Sequence, residues 1–231
     1  MRSNGSMCAP LETSSSRHSH ALKSLAAIAV STPCRRGQEI CGQGRPAEAW
    51  YRLVSGAARR FVLRSDGRRQ IVDLLLPGDF FGFALDAEFD YTVEAIVADT
   101  VVAAYQRKRA EDLADHDPQL ARELREIAFE ALARMQSQLL IIGRITALEK
   151  VGSFILEMSN RLSDREGDRV LLPVSRYDIA DYLAVSVETV SRALTDLKHR
   201  GLIRLSGTRN VKIVNRGALE ESDRIGQVAH F

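Results

Sequence analysis

Three side chains in the C-terminal third of the chain have the types and the spacing needed to read the edges of DNA bases. Glu188, Ser191 and Arg192 lie at positions i, i+3 and i+4 of a helical pattern, which places them on one helix face. Arginine can donate two parallel hydrogen bonds to guanine O6 and N7, glutamate accepts from cytosine N4, and serine adapts to a base or a phosphate. The alternative is a solvated helix with an i, i+4 Glu–Arg pair. The neighbouring segments are needed to choose between these two interpretations.

The segment around these residues is typical of two short helices joined by a tight turn. Ser175 and Asp178 have capping-box spacing, in which a hydroxyl and a carboxylate bind free N–H groups of the first helical turn. The first helix is predicted to end near Leu183, the turn to span 184–186, and Ser186 to cap the second helix. Apolar residues of the second helix recur at helical spacing and should pack inward: Val190, Leu194 and Leu197.

A β-hairpin is predicted directly after the second helix. Gly201 is a stop signal for that helix, and residues 202–205 and 210–214 have the pattern of two short strands. Two helices followed by a hairpin make a winged helix. Side chains suited to phosphate contacts, which supply affinity rather than sequence choice, are Ser175, Arg176, Ser186, Thr189 and Arg209, with Arg204 and Lys212 also on the wing.

The stretch ETVSRALTDLKHRGLI, preceded by SRYDIADYLAVS, resembles the helix-turn-helix of CRP/FNR transcription regulators. Residues 188–192 are similar to the E-x-x-S-R signature of the FNR and FixK branch, whereas CRP-type proteins usually have Gly where Ser191 stands. The resemblance covers about residues 25–215. It implies that Glu188, Ser191 and Arg192 read a TTGAT-type half-site of a palindrome in double-stranded DNA.

The resemblance also implies the function and a partner. The expected protein is a sequence-specific transcription activator, and activation implies RNA polymerase as a partner. An effector- or redox-controlled transcriptional repressor of the same fold is the alternative, because repression and activation use the same DNA contacts and differ in promoter position.

An all-β pattern precedes this region, from about residue 35 to 105. Short alternating segments separated by turn signals at regular intervals predict a β-roll or jelly roll. The segment resembles the cyclic-nucleotide-binding β-roll of the same family, in which an acid binds the ribose and an arginine the phosphate. Here Phe83 replaces the acid, and Tyr91, or Asp90 on a shifted alignment, replaces the arginine. We therefore expect a filled core and no cyclic nucleotide; a small apolar effector is left open.

The cysteine and histidine content argues against a metal cofactor. An iron–sulfur cluster of the FNR type needs four thiolates, and the chain has Cys8, Cys34 and Cys41 only. Cys41 is expected to be a small buried residue, whereas Cys8 and Cys34 are candidates for a redox switch. None of the five histidines falls in the apolar strands of the roll, which disfavours haem. We expect no metal and no cofactor.

A long helix is predicted over residues 118–145, between the roll and the winged helix. Its apolar and small residues recur at roughly alternating steps of four and three, as in a helix that packs along a twin; ordinary packing within one subunit is the alternative. The predicted dimerisation residues are Leu124, Ala128, Ala131, Leu132, Met135, Leu139 and Ile142, and Gln138 is expected at one seam position. A homodimer would set two reading helices roughly 34 Å apart on a palindrome.

The predicted fold class is α+β, and the chain of 231 residues divides into four parts. These are a mobile N-terminal tail (1–20), a β-roll (21–116), a dimerisation helix (117–145) and a winged helix-turn-helix domain (146–231). Thr146 and Glu149 have capping-box spacing and mark the hinge between the last two parts.

Composition and missing motifs exclude several other classes of protein. The 32 basic residues nearly balance the 30 acidic ones, so a DNA-binding surface has to arise by local clustering. The sequence has no P-loop, G-x-S-x-G or H-E-x-x-H motif, and we expect no enzymatic activity. No apolar run reaches the roughly 18 residues of a membrane span, so we expect a cytoplasmic protein that does not enter a membrane.

Overall fold

The computed structural model of the chain describes residues 18–162 and 169–221. Its N-terminal part is built from eight strands: β1 (Ala29–Cys34), β2 (Glu39–Cys41), β3 (Ala49–Ser55), β4 (Ala58–Leu63), β5 (Arg69–Leu75), β6 (Phe80–Phe81), β7 (Thr92–Ala95) and β8 (Thr100–Gln106). They form two antiparallel sheets with the strand orders β1-β8-β3-β6 and β2-β7-β4-β5. Cys41, Leu53, Phe81 and Val93 belong to the core cluster of the roll. The predicted β-roll is confirmed.

Helices and a small sheet complete the described fold, with a short helical segment at 216–221 after the last strand. The helices are α1 (Ser19–Ala26), α2 (Arg107–His116), α3 (Pro118–Ile142), α4 (Ala147–Leu162), α5 (Arg176–Leu183) and α6 (Val187–His199). The wing contains β9 (Arg169–Leu171), β10 (Ile203–Ser206) and β11 (Asn210–Ile213), in the order β10-β11-β9. The winged helix-turn-helix is confirmed. Strand β9, which pairs with β11 through Val170 and Val211, adds a third strand that the sequence pattern did not predict.

Helix α1 starts inside the segment that the sequence pattern assigned to the N-terminal tail. It begins at Ser19, and the preceding His18 is buried with its Nε2 3.2 Å from Oε1 of Glu130 on α3. The Ala21 N–H donates to Oε2 of Glu123, also on α3, at 2.7 Å. Residues 18–20 therefore belong to the folded part, because charged groups of α3 anchor them. Residues 1–17 of the tail lie outside the described part.

The junction between α3 and α4 contains the predicted capping box. The Glu149 N–H donates to Oγ1 of Thr146 at 3.2 Å, and the Thr146 N–H donates to Oε2 of Glu149 at 3.0 Å. Helix α3 ends at Ile142, three residues before the predicted end at Ile145. The bonds of the capping box satisfy N–H groups at the start of α4, so a new helix starts here rather than a continuation of α3.

The roll and the C-terminal part share one hydrophobic core. Phe61 and Ile71 of the roll belong to the same buried cluster as Phe154 of α4 and Leu183 of α5. Apolar burial is the main favourable contribution to folding, so this shared cluster holds the helix-turn-helix against the roll.

Candidate DNA-binding interface

Two capped helices build the helix-turn-helix. The Asp178 N–H donates to Oγ of Ser175 at 3.2 Å, and the Ser175 N–H donates to Oδ2 of Asp178 at 3.0 Å, which confirms the predicted capping box at the start of α5. The turn passes through Ala184 with a left-handed φ of 54°. The Thr189 N–H then donates to Oγ of Ser186 at 3.2 Å, which confirms the predicted cap of α6.

The three predicted base-reading residues share the outer face of α6. Glu188 and Arg192 are exposed and Ser191 is half-buried, whereas Val190 and Leu194 on the opposite face are buried. Hydrogen bonds from its own backbone N–H and from the Ser186 hydroxyl lower the pKa of Glu188 below its ordinary value, with a smaller contribution from Arg192. Glu188 therefore presents an ionised acceptor at neutral pH, as a contact to cytosine N4 requires.

The predicted phosphate-contact residues differ in how free their side chains are. Ser186 is exposed, and Arg176, Thr189 and Arg209 are half-buried. The hydroxyls of Ser186 and Thr189 bond to each other at 3.0 Å, and Arg176 donates to Ser191, but these contacts leave other donors or lone pairs of the three side chains available. The Ser175 hydroxyl, however, accepts from the Asp178 N–H and donates to Oδ2 of the same residue at 2.6 Å. Its single proton is thus engaged inside the protein, and a phosphate contact from Ser175 would have to break that bond.

Arginines of the roll hold the first helix of the helix-turn-helix, a contact that sequence reasoning missed. Arg59 on β4 pairs with Asp178 on α5 and with Glu94 on β7, the latter at 2.9 Å. Arg69 on β5 pairs with Asp181 on α5 at 2.7 Å. The Asp178 carboxylate therefore caps α5 and also joins α5 to the roll. No sequence signal marks the pairs with Asp178 and Asp181, because the partners are more than one hundred positions apart.

Gln138 reinforces this connection from the long helix. Its side chain is buried, and its Nε2 donates to the backbone oxygen of Ile71 on β5 at 2.7 Å and to that of Tyr182 on α5 at 3.2 Å. The expectation that Gln138 lies in a dimer seam is wrong, since it faces the roll and the helix-turn-helix. The sequence shows that Gln138 is a polar residue within an apolar stripe, which suggests a buried hydrogen bond. The pattern alone does not show whether its partner lies in the same chain or in a second copy.

We expect the Asp178 contacts to make the stability of the protein depend on pH. Burial alone would raise the pKa of Asp178, but hydrogen bonds from Ser175 and the Arg59 cation lower it below the ordinary value of a carboxyl group. A lowered carboxyl pKa adds stability that is fully present above the unfolded-state value and is lost as the pH falls through the folded-state value. Asp178→Asn should therefore be less stable than wild type at pH 7, and this difference in the free energy of unfolding should shrink below about pH 4. Urea unfolding at several pH values measures it, and a difference independent of pH would contradict the prediction.

The exposed face of α3 carries an apolar seam that differs in part from the predicted one. Leu132 and Leu139 are 46% and 69% exposed, and Ala128, Met135 and Ile142 beside them are half-buried. These five residues, which we call the α3 seam, alternate in steps of four and three, the spacing of a coiled-coil interface.

Two of the predicted dimerisation residues face inward instead. Leu124 and Ala131 are buried within the chain, and Leu124 packs in a core cluster with Leu25 and Phe80. The prediction that these two residues contact a partner is therefore wrong. Phe129 and Leu140, which are not among the predicted dimerisation residues, are exposed apolar residues of the same helix.

The residues at the expected nucleotide positions of the roll do not fit a cyclic nucleotide. Phe83 packs on Trp50 with ring centroids 5.4 Å apart, and the buried Tyr91 ring lies 5.0 Å from the Arg60 guanidinium. Arg60 is itself paired with the buried Asp73, with Nη2 and Oδ2 3.4 Å apart. A nucleotide phosphate would need an arginine free to bind two of its oxygens, and this one is already engaged.

The described cysteines are poor candidates for thiol chemistry. Cys34 and Cys41 are buried free thiols. Burial raises the pKa of Cys34 above its ordinary value and that of Cys41 to about 12, so few of these side chains are thiolates at neutral pH. Cys8, the other redox candidate, lies outside the described residues. Among the described residues, no group of three or more His, Cys, Asp or Glu side chains is placed to hold a metal ion.

Two domain families match parts of this chain. Residues 149–222 match the Crp-like helix-turn-helix domain, and residues 32–117 match the cyclic nucleotide-binding domain. Across residues 18–162 and 169–221, no helix is both long enough and apolar enough to cross a membrane. The fold and the site thus define a class of protein, the DNA-binding transcription regulators in which a nucleotide-binding-like roll carries a winged helix.

Individual relatives show which members of this class the chain is similar to in sequence and structure. The nitrogen fixation regulation protein FixK of Rhizobium meliloti is 39% identical over 183 residues, which are 79% of this chain and 82% of the relative. FixK of Azorhizobium caulinodans is 39% identical over 202 residues, covering 86% of this chain and 81% of that protein. The structure of FixK2 from Bradyrhizobium japonicum is 41% identical and covers 85% of this chain and 98% of its own, with a TM-score of 0.79.

The chain belongs to the CRP/FNR family of transcription regulators, in its FixK-like branch. It is a DNA-binding transcription activator of that type, and the matched relatives are regulators rather than enzymes.

Proposed function

We propose that the protein is a homodimeric activator that reads a TTGAT-type palindrome in the cytoplasm, with RNA polymerase as its partner and without a cyclic nucleotide or an iron–sulfur cluster. The observation that carries this proposal is the outer face of α6, where Glu188, Ser191 and Arg192 lie together on a helix that is capped and packed from behind. A helix with these side chains can reach base edges in the major groove.

The α3 seam supports the proposal of a homodimer. Monomeric proteins rarely expose a regular apolar stripe, and a second copy related by a two-fold axis would cover this one with the same residues. Two reading helices related by that axis would then face the two halves of a palindrome.

The first experiment compares DNA sequences and additives. The purified protein is titrated against a fluorescent TTGAT-type palindrome and a scrambled duplex at one fixed salt concentration, because affinity for DNA depends strongly on salt. We expect tight and selective binding with no additive. Selective binding that appears only with cyclic AMP would overturn the proposed independence of a nucleotide, and a requirement for oxidant or reductant would indicate redox control of DNA binding.

Two arginine variants separate base reading from phosphate binding. Arg192→Ala should weaken binding to the palindrome by about 1–3 kcal/mol and relax the preference at one base pair, because it removes a two-hydrogen-bond contact to guanine. Arg209→Ala on the wing should instead weaken specific and scrambled duplexes alike and lower the salt dependence. Equal losses on both duplexes for Arg192→Ala would contradict its assignment as a base-reading residue.

A further inference from the structure

A hydrogen bond joins a predicted phosphate contact to a predicted base contact. Arg176, the first residue of α5, extends its guanidinium to α6, and its Nη1 donates to Oγ of Ser191 at 3.1 Å. Both side chains are half-buried, on the side of the helix-turn-helix where the α6 reading face lies. The pair therefore lies next to Glu188 and Arg192, on the surface that would meet the DNA.

The chemistry of the pair fixes the direction of this hydrogen bond. A guanidinium has donors and no acceptor, so the Ser191 oxygen has to accept. A hydroxyl has one proton and two acceptor lone pairs, and the contact with Arg176 occupies an acceptor side. The Ser191 proton is thus directed away from Arg176. A serine without this neighbour could rotate to donate or to accept with similar ease.

We propose that Arg176 is a specificity-determining residue, which sets the Ser191 hydroxyl as a hydrogen-bond donor toward the base edge. This inference rests on the proposed base-reading role of α6. A fixed donor selects a base that offers an acceptor in the major groove, such as thymine O4 or a purine N7, and disfavours cytosine, whose N4 amino group is a donor. Arg176 acts through Ser191 and is a positioning residue for it.

The surroundings of Arg176 hold it in place for this role. The capping box of Ser175 and Asp178 fixes the backbone at the start of α5, and Arg59 of the roll fixes Asp178 in turn. The Arg176 Nε is buried and has no acceptor among the described residues, so the bond to Ser191 is the contact that orients the guanidinium. An arginine that only binds phosphate would need no hydrogen bond to α6, whereas Arg176 donates one to Ser191 on that helix.

The test is a double-mutant cycle read out as base preference. Arg176→Met keeps the aliphatic stem and removes all donors, and Ser191→Ala removes the hydroxyl; the double variant completes the cycle. Each protein is titrated against palindromes in which every half-site position is changed in turn. We expect both single variants to lose about tenfold of the preference at the same base pair, and the double variant to lose no more than Ser191→Ala alone. Arg176→Lys, which keeps a donor, should restore part of that preference.

Reference measurements distinguish a misfolded variant, a phosphate-only role of Arg176 and a failure of the proposed function. Arg209→Met serves as the reference for a uniform loss, and circular dichroism and the melting temperature check that each variant is folded. If Arg176→Met weakens all duplexes by one common factor, or if the losses of preference multiply in the double variant, the inference is overturned and Arg176 is a phosphate contact only. If the wild-type protein itself does not distinguish the palindrome from a scrambled duplex, the proposed function fails first.

Discussion

Asp79→Ala should lower the free energy of unfolding by about 3–5 kcal/mol, because it removes the carboxylate that pairs with two largely buried arginines. Asp79 follows β5 of the roll and pairs with Arg161 on α4; its Oδ1 is also 3.4 Å from Nη1 of Arg134 on α3. The Arg161 side chain is only 17% exposed. Burial opposes its charged form, but Asp79 and the neighbouring Asp73 raise the pKa of Arg161 overall. The Asp79 carboxylate thus compensates the charges of two largely buried arginines and links the roll to α3 and α4.

Urea unfolding followed by circular dichroism measures this effect. Asp66→Ala is the matched control, since Asp66 forms an exposed pair with Arg68 in the turn between β4 and β5, and we expect no measurable change from it. We expect one transition for the wild type and two for Asp79→Ala, because the roll loses its contacts with α3 and α4. A midpoint equal to that of the control would show that the buried network contributes little.

Introducing charge into the α3 seam should abolish tight binding to the palindrome. Leu132→Glu combined with Leu139→Glu would bring like charges of two copies together in the apolar interface, which disfavours association. A monomer contacts one half-site at a time, so its apparent affinity for the palindrome should fall by about 10²–10⁴-fold, the usual contribution of a linked second site.

The mass in solution and the binding curve test the seam together. Light scattering coupled to size exclusion should give a dimer for the wild type and a monomer for the double variant. Leu85→Glu is the control, because Leu85 is a fully exposed leucine of the roll, outside the seam, and should change neither measurement. A double variant that stays dimeric would move the interface away from Leu132 and Leu139, with Phe129 and Leu140 as the next residues to test.

Local features of this protein were determined by the sequence. The caps at Ser175, Ser186 and Thr146 were predicted correctly because a capping bond joins residues three positions apart, so that both partners are visible in a short stretch of sequence. The roll was predictable for a related reason, since alternating strands and turn residues are short-range patterns. The family motif at residues 188–192 also lies within one helix.

The tertiary structure alone decided which surfaces meet. Helix α3 has enough apolar residues to form two apolar faces, and the sequence pattern does not show which face points inward. In the packed fold Leu124, Ala131 and Gln138 face inward, whereas Leu132 and Leu139 are exposed. The pairing of the roll with Asp178 and Asp181 was equally invisible, because residues more than one hundred positions apart meet only after the chain has folded. Short-range hydrogen bonding and periodicity are encoded locally, whereas the choice among several apolar or charged partners depends on the packing of the whole chain.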